Sequence, residues 1–164
     1  MVINGTSLLK MAPIKNMFAV KCKQHGVSCG MSEAGYDIRI KQDVFFSSNG
    51  AFMSVGYKKG HEKSGNFILA SAIEEFQMPS NLVGEVKDKS TWARKGLSVF
   101  NTVIEPGWNG FLTLELVYHG SEDLHIPAGA GIAQVVFSQT ILPADYGSGK
   151  YQNQADEPVE ARES

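Results

Sequence analysis

The chain has 164 residues, 43% of them hydrophobic, and a formal charge of -2, which suits one compact domain with a buried core. That charge leaves no broad basic field for nucleic acid, and no run is long and apolar enough for a helix to cross a bilayer, so a soluble, cytoplasmic protein is expected, without nucleic acid or membrane as partner. Seventeen glycines against six prolines, with short apolar runs broken by Gly, Ser, Asn and Pro, favour a mainly β architecture with little helix.

Residues 1–30 mix short apolar pieces with Lys10, Lys15, Lys21 and Lys23 and read as irregular structure with a single helical turn. Cys22 and Cys29 match no common zinc spacing and are too few for a disulfide scaffold, so two reduced thiols are expected. From Tyr36 to Ile40 apolar and polar positions alternate as in a half-buried strand, with Asp37 on the polar face. The Ser-, Gly- and Lys-rich stretch from Ser47 to Gly65 reads as hairpin turns around a strand at Ala51 to Val55, and is the expected mobile loop. Phe67 to Ile73 is a continuous apolar run suited to a buried strand. Met78-Pro79-Ser80-Asn81 then turns the chain into another strand at Leu82 to Val86.

Lys89-Ser90-Thr91-Trp92-Ala93-Arg94-Lys95-Gly96 gathers cations and hydroxyls that need no helix to hold a phosphate or a water. Arginine presents a planar fork of donors and Ser or Thr compact ones, a good inventory for phosphate oxygens; a solvated polar turn is the plain alternative. In Asn101 to Gly110 a Pro-Gly turn follows Glu105, and Thr102 lies just upstream. The next strand, Gly110 to Tyr118, alternates so that its leucines share one face and Phe111, Thr113, Glu115 and Val117 the other. Glu105 and Glu115 in different environments can divide the work of orienting a sugar hydroxyl and activating a water. Alternatively, Glu115 is a strand carboxylate paired with an arginine.

Ile126 to Gly131 turns into a buried strand at Ile132 to Phe137. Tyr146 to Gln154 is Gly-rich and carries Lys150 for phosphate charge and Gln154 for a base edge, or is simply a flexible polar segment. One domain over residues 1–154 is expected, with 155–164 as a flexible acidic tail.

The order and wording of these stretches resemble the dCTP deaminase branch of the dUTPase-like superfamily. The carriers are AGYDIRI at 34–40, FILASAIEEFQMPSNLVGEVKDKSTWARKGL at 67–97, NTVIEPGWNGFLTLEL at 101–116, AGAGIAQVVF at 128–137 and GKYQNQ at 149–154. The resemblance implies a dUTPase-like distorted β-barrel or jelly-roll and hydrolytic deamination of dCTP to dUTP. Glu115 would be the general base, with Ser90 and Arg94 beside the water. It also implies phosphate contacts at Lys89, Thr91, Tyr146 and Lys150, substrate contacts at Thr102 and Gln154, and a sugar contact at Glu105, where the family usually carries Asp. Mg2+ bound with the triphosphate and a homotrimer with sites between subunits follow from the same likeness. Feedback by dTTP is not carried over, because the segment between Arg94 and Glu105 is compressed and lacks the histidine often found there.

Zinc is not expected, since no histidine is followed two residues later by Glu as the zinc deaminases require. The rivals are a bifunctional enzyme taking dCTP to dUMP, a dUTPase, and a non-catalytic nucleotide-binding regulator. A pure dUTPase would carry a Gly-rich, Phe-containing C-terminal motif where this chain has KYQNQ.

Overall fold

A computed structural model describes residues 1–47, 50–55, 58–63 and 65–163. In chain order the elements are β1 (Val2–Ile3), α1 (Gly5–Met11), β2 (Lys21–Gln24), β3 (Val27–Met31), β4 (Tyr36–Arg39), β5 (Asp43–Ser47), β6 (Gly50–Val55), β7 (Lys58–Lys63), β8 (Phe67–Gln77), β9 (Leu82–Asp88), α2 (Ser90–Ala93), β10 (Leu97–Val99), β11 (Val103–Ile104), β12 (Asn109–Tyr118), β13 (Leu124–Ile126) and β14 (Gly131–Gln139). They form three antiparallel sheets, ordered β11-β9-β14-β4-β3-β2 with β1 also on β14, β10-β12-β8, and β13-β5-β6-β7. The mainly β expectation holds. No helix among the described residues is long and apolar enough to cross a membrane.

β14 lies at the centre of the largest sheet because its residues can be covered on both faces: Ile132, Ala133, Val135 and Phe137 are all fully buried. They join one hydrophobic cluster that runs from Leu8 through Ile38, Ile68, Phe76 and Leu114 to Phe137. A continuous apolar run of this kind marks a strand covered on both sides rather than one with a wet face.

The N-terminal region is more ordered than the sequence suggests. α1 buries Leu8, and β2 and β3 form a hairpin whose turn residues His25 and Gly26 both have positive φ, 51° and 77°. Two such residues make the tight turn that matches strand twist. Histidine is not one of the usual turn formers, so glycine at the second position is the local cue to this turn. Its register sets Cys22 opposite Cys29, with Cα atoms 4.9 Å apart and the sulfurs joined in a disulfide. The reduced pair is therefore corrected: cross-strand pairing supplies the proximity that spacing alone did not reveal.

Other features add detail or change an expectation. Asp37 is on a strand as foreseen, but is only 2% exposed, with Ser28 Oγ and Lys89 Nζ lying against its carboxylate. The 89–96 stretch contains a helical turn, α2, formed around the buried indole of Trp92, whose Nε1 donates to Gly131 O at 2.7 Å. β12 is bulged between Phe111 and Thr113, which takes Leu112 out of the expected leucine face. The expected mobile loop falls partly on residues outside those described; its described parts include β6 and β7.

Candidate active site

Glu115 lies near the middle of β12, opposite Leu69 of β8. On the other edge β10 pairs only as far as Leu116; from there the chain continues with Phe100 N donating to Glu115 O at 2.9 Å. The Asn101 side chain then takes the place of a strand neighbour. Its Nδ2 donates to Thr113 O at 2.6 Å and its Oδ1 accepts from Glu115 N at 3.0 Å. Both backbone groups are thereby satisfied without a further strand, and the strand face bearing Thr113 and Glu115 opens into a cavity of about 520 Å³.

Asn101, Thr102, Glu105, Tyr146 and Gln154 also line that cavity, which has the size of an ordinary small-molecule pocket. Burial pushes the Glu115 carboxyl above its usual range, and it is the sole cause of that shift. Glu74 is raised for the same leading reason, but there Arg39 donates to both carboxylate oxygens, at 2.8 and 2.9 Å. Glu74 is thus the strand carboxylate paired with an arginine. Among the described residues no ion pair engages Glu115.

The Pro-Gly turn sets the cavity's rim. Gly107 has φ 77° and Trp108 N donates to Glu105 O at 3.2 Å, the pattern of a type II turn with proline first and glycine second. The turn leaves Glu105 exposed and Trp108 buried. The C-terminal segment is sewn onto it: Tyr146 N donates to Pro106 O, Trp108 Nε1 to Tyr151 O, and Phe111 N to Gln154 O. Gln154 is only 7% exposed, and its Nε2 donates to Thr113 Oγ1. Lys150 is exposed beside the Tyr151 ring and does not line the cavity. Residues of the expected tail also reach the site, since Val159 N donates to Thr113 Oγ1 at 3.0 Å and Val159 and Ala161 line the cavity.

The second half of the anticipated site lies elsewhere. Lys89 is 9% exposed, and its Nζ sits 2.6 Å from Asp37 Oδ2 and 2.8 Å from Ser28 Oγ. Ser90, Thr91 and Arg94 are exposed. Arg94 lines a different cavity, of about 470 Å³, with Lys95, Tyr118 and residues 120–124. Within one chain, then, the structure brings together Thr102, Glu105, Glu115, Tyr146 and Gln154, and leaves Lys89, Ser90, Thr91, Arg94 and Lys150 outside their cavity. Besides the tail residues Val159 and Ala161, sequence reasoning missed Thr113 and Asn101. Thr113 was visible as Glu115's same-face neighbour, whereas the Asn101 bridge depends on tertiary register and left no local signal. Among the described residues no group of three or more His, Cys, Asp or Glu is arranged to hold a metal ion.

Comparison with known proteins gives a consistent picture. A family model described as dCTP deaminase-like matches residues 62–140. The dCTP deaminase of Herpetosiphon aurantiacus is 37% identical over 145 residues, covering 78% of this chain and 79% of that protein. That of Acidobacterium capsulatum is 30% identical over 175 aligned positions, covering 94% and 96%. Among solved structures, native EIAV dUTPase superposes with a TM-score of 0.53 at 20% identity, over 90% of this chain and 99% of that one, which bears on the fold.

Proposed function

The chain belongs to the dCTP deaminase family, and on that premise we propose that it hydrolyses dCTP to dUTP and ammonia with Glu115 as general base. The observation that carries this reading is a carboxyl raised by burial, free of any ion pair among the described residues and facing a nucleotide-sized cavity. A carboxylate whose affinity for the proton is raised by burial is a better acceptor for a proton from water and can return it afterwards. Glu115 removes the proton as the water oxygen bonds to carbon 4 of cytosine. The same proton then passes to the amino nitrogen, the carbon–nitrogen bond breaks and ammonia leaves, while the remaining hydroxyl proton ends on N3 as the 4-carbonyl of uracil forms. Zinc deaminases obtain their hydroxide from the metal; a zinc-free route is supported here by the missing ligand pattern in the sequence.

Gln154 contacts the pyrimidine and Glu105, at the rim with Thr102, the sugar. The triphosphate enters with Mg2+ as part of the substrate, contacted by Thr91, Tyr146 and Lys150. Lys89 is committed to Asp37 instead. Ser90 and Arg94 reach the water from a neighbouring copy in a homotrimer, a reading supported by their exposure and by their lying outside the lining of Glu115's cavity.

Incubation of the protein with dCTP and Mg2+ is expected to give ammonia and dUTP, with Glu115→Gln slower by more than about a hundredfold, the lower range for a general base. Pyrophosphate appearing in step with ammonia selects the bifunctional reaction. Tight dCTP binding without turnover selects a regulator, and unchanged ammonia release by Glu115→Gln refutes the base assignment.

A further inference from the structure

We propose that Thr113 determines specificity, its hydroxyl donating to N3 of cytosine and so favouring the substrate base over the uracil product. The proposal rests on the reading of this cavity as the pyrimidine site. Thr113 precedes Glu115 by two residues on the same strand face, so the two side chains enter the cavity roughly 7 Å apart along the strand.

Two N–H groups converge on the threonine oxygen: Gln154 Nε2, from a side chain 7% exposed, and Val159 N at 3.0 Å. A hydroxyl has one proton to give and two lone pairs to receive. With both lone pairs taken, only the proton remains to offer a ligand. The nearby Asn101 amide has each end engaged by the backbone of β12, and Leu69 and Leu112 are apolar lining. Thr113 is therefore a hydroxyl in this wall whose hydrogen-bonding sense is set by the fold.

That sense matters for a pyrimidine. In cytosine N3, next to the reacting carbon 4, is an acceptor; in uracil it carries a hydrogen. A hydroxyl that can only donate pairs with the first and meets a second donor in the other. Sites built around such a bond reject the mismatched ligand because buried groups are left unpaired.

The test compares dCTP and dUTP binding, each with Mg2+, by calorimetry in a Glu115→Gln background that suppresses turnover. Thr113→Val keeps the shape and removes the hydroxyl; it is expected to cut the preference for dCTP over dUTP by roughly tenfold, the scale of one lost hydrogen bond. Thr113→Ser keeps the donor and is expected to keep the preference. Equal weakening of both nucleotides by Thr113→Val would show that the residue only anchors Gln154 and Val159, and would overturn the proposal, as would a Ser variant that behaves like Val. The otherwise unaltered protein is assayed alongside for ammonia from dCTP. No ammonia overturns the reading of the cavity and this proposal with it; ammonia with an unchanged preference overturns this proposal alone.

Discussion

The β12 cleft and the turn from Lys89 to Arg94 serve the same proposed chemistry, yet the chain builds them in opposite ways. In the cleft, the Asn101 side chain satisfies the strand backbone and leaves the Glu115 carboxyl facing a cavity. In the turn, the first cation is drawn inward, where Lys89 pairs with Asp37 beside Ser28. Trp92 is buried as well, and Ser90, Thr91 and Arg94 are presented outward. The cleft is formed within one chain, whereas the turn, anchored by Lys89 and Trp92, is a mount for groups that do not line its own chain's cleft. The proposed homotrimer would resolve this, because each copy could offer its mount to its neighbour's cleft.

Mixing experiments give the sharpest way to break that contrast. Glu115→Gln and Arg94→Ala are each expected to be nearly inactive alone. If the chains form trimers and exchange at random, a mixture refolded together regains about a quarter of the unaltered rate, since a site needs an intact cleft from one chain and an intact mount from the next. Ammonia release measures this directly; a mixture no more active than its parents places both halves in one chain and removes the argument for a shared site.

The mount makes a stability prediction of its own. Removing one partner of a buried ion pair strands the other charge, at a cost of about 3 kcal/mol or more. Asp37→Ala is therefore expected to lower the denaturation midpoint strongly, by roughly 10 °C for a chain of this size. The Lys89 ammonium would lose its carboxylate, and the turn it anchors should loosen. A variant that melts close to the unaltered protein would mean that Lys89 has another outlet, such as phosphate, and would return it to the substrate contacts.

How much of this was legible differs between the same two regions. Strand alternation marked Glu115 and, less obviously, Thr113, because a side chain's face on a strand is set by local geometry. The Pro-Gly turn marked Glu105 for the same reason. Nothing local could show that Lys89 faces inward, since that depends on β4 passing beside α2, or that Asn101 bridges β12, since that depends on where β10 stops. Cys22 and Cys29 fall between these cases: their pairing follows from the hairpin turn at His25 and Gly26, and only glycine marks that turn in the sequence. Fold class survived these errors because buried runs such as 67–73 and 132–137 outweigh any single turn.

The smallest expected effect concerns the cleft carboxylate itself. Burial raises the Glu115 carboxyl in the folded chain, and a base acts only when ionised. The acid limb of kcat/KM should therefore lie above the ordinary glutamate value of about 4.3, activity being lost as pH falls through the raised value. Stability carries the opposite sign. Between the unfolded and folded values the folded chain binds more protons than the unfolded one, so stability declines as pH rises through that window. At neutral pH the ionised, partly desolvated carboxylate is a net cost that glutamine does not incur, and Glu115→Gln should melt slightly higher than the unaltered protein. Below about pH 4, where the carboxyl is protonated in both states, the gap should close. Because Glu115 keeps contact with solvent the shift will be small, but its sign discriminates: a variant that melts lower at neutral pH would reveal a partner stabilising the carboxylate, and the cleft would then resemble the Arg39–Glu74 pair rather than a site awaiting its substrate.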